Sequence, residues 1–228
     1  MRNLFKIIII LYFFTTNIFG QEVFKPNKFK IYVKNINQLK NIYKYDLSHI
    51  EVKKGEKISS IGAGDGSKEV QIAIMNEGID WTLQEIDSVS LNPQSFKNVL
   101  ESFEKIIQKP INEKFSIVIG NLEKTNLLYD AYDRVLLLNV YHEITDRQRF
   151  MAEIHQVLKD KGRVVVMEAM ARKIGQRHQG CNDLKLWEPD FLTEMEKFNF
   201  KLINRNRPRE KSFETFFIFE KINVKMAF

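Results

Sequence analysis

From residue 57 onward, short runs of apolar residues alternate with longer stretches in which apolar positions return at helical spacing. Residues 58–61 form the first short run, and residues 67–76 follow with Val70, Ile72, Ala73 and Ile74 available for burial. Residues 80–86 read as a strand with Trp81, Leu83 and Glu85 on one phase. Asn92 and Pro93 then open a helix to about residue 108, because Phe96, Val99, Leu100, Phe103, Ile106 and Ile107 fall on one face. Residues 115–119 make a third strand, and 133–140 (DRVLLLNV) a fourth, whose solid apolar run suits burial on both faces. A helix over 146–158 and a turn at 159–162 lead to a fifth strand at 163–167. Alternation at these lengths predicts a parallel sheet with helices on both faces. The tail differs: a helix from Glu188 and Pro189 to about residue 198 precedes strands at 200–204 and 213–220, joined through Asn206, Arg207 and Pro208. Two final strands this close predict an antiparallel hairpin on the sheet edge.

Ahead of this pattern, Ile31, Val33, Ile36, Leu39, Ile42, Tyr43 and Leu47 can be read as one or two amphipathic helices. They would either cap the site as a lid or pack on the sheet face. The first twenty residues have another character. Arg2 and Lys6 flank a short basic region, residues 7–14 are an unbroken apolar run, and residues 15–20 turn polar and small. That is the layout of a secretory signal peptide cleaved after Gly20. The run is shorter than the roughly 20 residues of a spanning helix, although Ile18 and Phe19 extend it toward an uncleaved anchor. The expected organisation is a leader at 1–20, a helical cap at 21–56 and one main domain at 57–228. The expected location is the periplasm or the exterior, with membrane attachment only through an uncleaved N-terminus.

Composition narrows this further. The chain has 228 residues, of which 44% are hydrophobic, enough for one sizeable core. Its formal charge of +6 is dispersed, with no Arg/Lys block interleaved with aromatics. The charge therefore reads as a lysine-rich solvated surface rather than a nucleic-acid track. One cysteine, Cys181, excludes an internal disulfide framework.

The candidate chemistry centres on KISSIGAGDG, residues 57–66, where a strand runs into Gly62, Gly64 and Gly66 and then into a helix start. Glycines there let backbone N–H groups approach a nucleotide-like ligand, while a plain tight turn would use the same residues. The order of parts resembles the class I S-adenosylmethionine-dependent methyltransferases over residues 57–219. ISSIGAGDG (58–66) is similar to that family's first motif, LQEID (83–87) to its second, and IGNLE (119–123) to the segment near the adenine. YDRVLLLNVYHE (132–143) and VLKDKGRVVVME (157–168) are similar to its fourth and fifth strands. The resemblance implies an α/β Rossmann-like fold, with a seven-stranded, mostly parallel sheet, an antiparallel C-terminal edge strand and three α/β/α layers. It implies S-adenosyl-L-methionine as cofactor, bound by Ser60, Gly62, Ala63, Gly64, Gly66, Glu85, Ile86, Asn121, Leu122 and Asn139. Glu85 would take the ribose hydroxyls, with Asp87 as the alternative if the register slips. Asn121 would face the adenine amino group and Leu122 its ring. Asn139 would sit where cofactor and acceptor meet, unless it is only a turn former. One position departs from the family: an acid usually stands two residues before the first glycine, and here it is Ser60.

Transfer of a methyl group from a sulfonium is an in-line displacement, so holding donor and acceptor in line and excluding water supply most of the acceleration. A weakly acidic acceptor also needs a base. His142 and Glu143, just past the fourth strand, are the placed candidates, though His142 could instead cap the next helix. His155 lies within a helix and reads as structural or exposed. In the stretch RKIGQRHQGCND (172–183), His178 and Cys181 are three apart, a spacing open to one soft metal if His142 or Glu143 also contributed. The simpler expectation is no metal, with this loop covering the acceptor pocket. The lack of an Asn-Pro-Pro-aromatic sequence after the fourth strand argues against amino-group methylation of adenine or glutamine. The activity expected is methyl transfer to an unidentified small-molecule or protein acceptor. The alternatives are an exported non-catalytic nucleoside-binding module and a nicotinamide-binding Rossmann protein, whose G-x-G-x-x-G spacing is absent.

Overall fold

The computed structural model describes residues 33–208 and 214–223. The leader at 1–20, the first part of the cap segment and Phe213 lie outside the described residues. The seven strands are β1 (Lys57–Ile61), β2 (Asp80–Glu85), β3 (Lys114–Ile119), β4 (Tyr132–Leu138), β5 (Leu158–Ala169), β6 (Phe200–Asn206) and β7 (Glu214–Lys221). They form one sheet in the order β3-β2-β1-β4-β5-β7-β6. The first five are parallel, and β7 pairs antiparallel with both β5 and β6.

Period-two alternation in the central strands explains the layering. On one face Val135, Leu137, Val164, Val166, Phe217 and Phe219 pack with Met151 and Ile154 of α4 (Arg147–Val157) and Phe191 and Met195 of α5 (Glu188–Lys197). On the other, Leu136, Leu138, Val165, Met167, Phe216 and Ile218 join Ile72 and Ala73 of α2 (Ser67–Met75). Such strands are buried on both faces and read as continuous apolar runs. The third helix, α3 (Pro93–Ile107), starts where Asn92 and Pro93 place it: the Asn92 side chain accepts from Gln94 N and Ser95 N, and Ser95 Oγ accepts from Asn92 N. Asp146 caps α4 in the same way, through Arg149 N.

The described part of the cap segment forms α1 (Ile36–Tyr45) and a 3₁₀ turn, Leu47–Ile50. Leu39 packs with Val70, Leu83 and Phe96, and Leu47 and Ile50 with Ile58 and Trp81. Arg134 of β4, fully buried, ties this segment down: its Nη2 and Nε donate to Glu56 at 2.8 and 3.1 Å, and its Nη1 to the Ile50 carbonyl at 3.2 Å. These contacts pack residues 36–50 against the sheet and its neighbouring helices.

Two boundaries differ from expectation. Strand β4 stops at Leu138 because Asn139 takes a left-handed conformation, φ +63°, which ends the ladder. The turn expected at 159–162 is a bulge inside β5. Tyr132 pairs with Leu158 and Arg134 with Arg163, so four residues loop out against one on β4.

Candidate active site

The three loop glycines have different neighbours. A Cβ on Gly62 would lie 2.6 Å from Val140 Cγ2, so the loop and the chain after β4 approach more closely than any side chain permits. Gly64 has φ +60° and a Cβ there would meet nothing within 4 Å. Its missing side chain leaves open space, which is the space a ligand needs when backbone must come close to it. Ala63 N donates to the Gln84 carbonyl at 3.1 Å, joining the loop to β2.

Glu85 ends β2 with its carboxylate turned onto this loop. Oε2 accepts from Gly64 N at 2.8 Å, and Oε1 accepts from Ile86 N at 2.7 Å and Asp87 N at 3.3 Å. Asp87 is committed elsewhere: it accepts from Ser90 Oγ at 2.6 Å and from Val89 N at 2.9 Å. The Ser90 hydrogen bond, with that from Val89, holds its carboxyl below the usual range. Glu85 therefore faces the glycine loop, and Asp87 the turn at 88–90.

Ser60 has a partner that the sequence did not reveal. Its Oγ donates to Glu69 Oε1 at 2.7 Å, both residues being buried. Burial pushes the Glu69 carboxyl up, against the lowering effect of the Ser60 hydrogen bond. Its Oε2 is buried with no hydrogen-bond partner. An acid thus stands beside the glycine loop, delivered from the first turn of α2 rather than from β1.

The other half of the site lies past β4. His142 follows Tyr141 in a short 3₁₀ turn, and its Nδ1 lies 3.0 and 2.9 Å from the two carboxylate oxygens of Glu168 on β5. A carboxylate only accepts, so the ring hydrogen sits on Nδ1 and the neutral ring keeps its lone pair on Nε2. Burial alone would lower the His142 pKa, but the Glu168 hydrogen bond and charge, with Glu143 and Asp183, outweigh it and raise the group. Burial raises the Glu143 carboxyl, against the opposing charge of His142. Loop residues 176–185 form a small hairpin: Arg177 bridges Leu184, His178 N donates to the Asp183 carbonyl, and Lys185 N to the Gln176 carbonyl. This hairpin stacks His178 on His142, with centroids 4.0 Å apart, and brings Cys181 Sγ to 3.6 Å from His142 Nε2. At its root lies a cavity of about 830 Å³ lined by Ala171, Arg172, Trp187, Pro189 and Leu192 among others.

Residues 60–166 match the family described as a methyltransferase domain. These residues form a methyltransferase domain, on the class I S-adenosylmethionine-dependent methyltransferase fold. Similar solved structures include a methyltransferase from Methanosarcina mazei at 15% identity and TM-score 0.62, covering 78% of this chain and 98% of that one. A second is 1,6-didemethyltoxoflavin-N1-methyltransferase from Burkholderia thailandensis, solved with bound 1,6-didemethyltoxoflavin and S-adenosylhomocysteine. It has 13% identity and TM-score 0.61, with 79% of this chain and 77% of that one covered. A third is a methyltransferase from Aquifex aeolicus at 12% identity and TM-score 0.61, with 81% and 96% covered. At these identities the likeness establishes the fold. No curated protein matches the sequence.

The cofactor of this methyltransferase is S-adenosylmethionine, and the residues at the glycine loop fit it: open space at Gly64 and a carboxylate at the end of the neighbouring strand. Ile86 follows at the same edge with its side chain partly exposed. Asn121 Oδ1 accepts from Glu123 N at 2.7 Å and Lys124 N at 2.8 Å, so it shapes its own loop. Leu122 projects outward, 84% exposed. Asn139 is a turn former whose Nδ2 donates to Glu214 at 3.2 Å. Glu69, Glu168 and Lys68, whose Nζ reaches the Leu138 carbonyl at 3.5 Å, were not anticipated. The one available signal was the repeat of acids near the motifs, and a charged residue in a first helical turn ordinarily reads as solvated.

Proposed function

We propose that this methyltransferase moves a methyl group to a small-molecule or protein acceptor held past the end of β4, against His142. The observation that carries this reading is the His142–Glu168 pair: Nδ1 is fixed by a fully buried carboxylate, so in the neutral ring Nε2 points its lone pair at whatever occupies the neighbouring space. Glu143 lies beside it, with Oε1 3.7 Å from His142 Nε2. On the donor side, Glu85 holds the ribose hydroxyls, the loop at 62–66 approaches the nucleoside, and Glu69 replaces the acid that Ser60 lacks. Bound there, the cofactor supplies an electrophilic methyl group. The protein's part is alignment, exclusion of water by the hairpin at 176–185, and a polar partner for the acceptor's heteroatom.

Incubating the protein with methyl-labelled S-adenosylmethionine and a fractionated cell extract tests this. Label is expected in one small-molecule or one protein fraction, falling about 100-fold or more in His142→Ala. Cofactor binding without any transfer of label would favour the non-catalytic binding module. Export is also proposed, supported by the basic and apolar layout of residues 1–20. N-terminal sequencing of the protein from its native host is expected to begin at Gln21; an intact Met1 would contradict cleavage.

A further inference from the structure

We propose that His142, His178 and Cys181 form a binding site for zinc or a similar borderline-soft divalent cation, with its fourth position open toward the acceptor. The inference rests on the acceptor placement proposed above and specifies what His142 Nε2 does there. One ligand atom from each residue lies within 4.8 Å of the other two. The distance from Cys181 Sγ to His142 Nε2 is 3.6 Å. A tetrahedral zinc with sulfur at about 2.3 Å and nitrogen at about 2.0 Å has an S···N edge of about 3.5 Å. The same distance also suits a thiol donating to an imidazole nitrogen, so the choice between the two rests on the third donor.

Two further features point to a cation. His178 Nε2 is buried without a hydrogen-bond partner, which a pair made only of Cys181 and His142 would leave unexplained. A metal uses all three donors once the His178 ring, stacked at 18° to that of His142, turns its Nε2 toward the ion. Glu168 fixes the opposite nitrogen of His142, the outer carboxylate that metal-bound imidazoles characteristically have. Glu143, 3.7 Å from His142 Nε2, adds negative charge at the same place. The other two histidines are engaged elsewhere: His49 with Asn206 and His155 with the Ile222 carbonyl. Nitrogen and sulfur donors suit zinc over magnesium or calcium, and three protein ligands leave the open position of a reactive rather than a structural site.

Zinc and cobalt(II) titration of the full chain tests the site directly. One tightly bound ion per chain is expected, with a thiolate-to-cobalt charge-transfer band. Cys181→Ser, on an exposed loop, should abolish the band and the tight binding, and His178→Ala should abolish tight binding. Glu168→Gln should weaken affinity about 10–100-fold. No stoichiometric ion in the wild type, or an unchanged band in Cys181→Ser, would overturn the proposal. Titrating the same preparation with S-adenosylmethionine keeps the two readings apart. Lost zinc binding with cofactor binding intact sinks the metal site alone, and zinc binding without cofactor binding sinks the methyl-transfer reading alone.

Discussion

Gly64→Val is expected to abolish S-adenosylmethionine binding, lowering affinity by more than about 100-fold, or about 2.8 kcal/mol, while the sheet stays folded. A Cβ at Gly64 meets no protein atom within 4 Å, so the substitution creates no internal clash. It does place a β-branched residue at φ +60°, which costs about 1–2 kcal/mol. For a chain of this size that lowers the melting temperature by only about 2–8 °C. The added isopropyl group instead fills the space through which the loop backbone reaches the cofactor. Gly62→Val would be a poor substitute, because its Cβ would collide with Val140 and unfold the loop. Thermal denaturation beside a binding titration checks the prediction. Binding within a few-fold of wild type would show that the cofactor does not pass over Gly64.

Restoring the family's acid by Ser60→Asp is expected to harm the protein. Ser60 Oγ lies 2.7 Å from Glu69 Oε1, and both residues are almost wholly buried. An aspartate there puts a second carboxyl in contact with one whose ionised form burial already disfavours. It also removes the hydroxyl that donates to Glu69. The loss should be about 3 kcal/mol or more, a fall of about 6–12 °C in melting temperature. The double substitution Ser60→Asp, Glu69→Ser, which moves the acid to the family's position, should recover most of it. Ser60→Asp that melts like wild type and binds cofactor more tightly would show that Glu69 does not take the place of the missing acid.

Much of the fold was legible because its signals are local and repeated. The runs in β4 and β5, the Asn92-Pro93 start of α3 and the Asp146 start of α4 each carry their own physical cause. The site's geometry was legible where one motif sufficed: Gly64 and Glu85, each singled out from its own motif, meet at 2.8 Å. It was not where partners are distant in sequence. Ser60 and Glu69 come from different elements, and Glu69 reads from the chain as a solvated first-turn acid. His142, Glu168, His178 and Cys181 come from three segments that only the sheet order and the hairpin at 176–185 bring together. At Asn121 and Asn139 the sequence did not show the local hydrogen bonds: asparagines satisfy turn backbones readily, and Asn121 accepts from Glu123 N and Lys124 N while Asn139 donates to Glu214.

Calorimetric titration of the full chain and of Glu85→Ala with S-adenosylmethionine, S-adenosylhomocysteine and NAD tests the central claim most directly. Glu85 Oε2 now accepts from Gly64 N at 2.8 Å, and two hydroxyls of a bound ribose would take its place at that carboxylate. Each hydrogen bond to a charged group contributes about 1.5–3 kcal/mol. Micromolar binding of the first two ligands, none of NAD, and a loss of about 10-fold to 100-fold or more in Glu85→Ala is the predicted result. Binding of NAD alone, or equal cofactor affinity in wild type and Glu85→Ala, would contradict the account of this site.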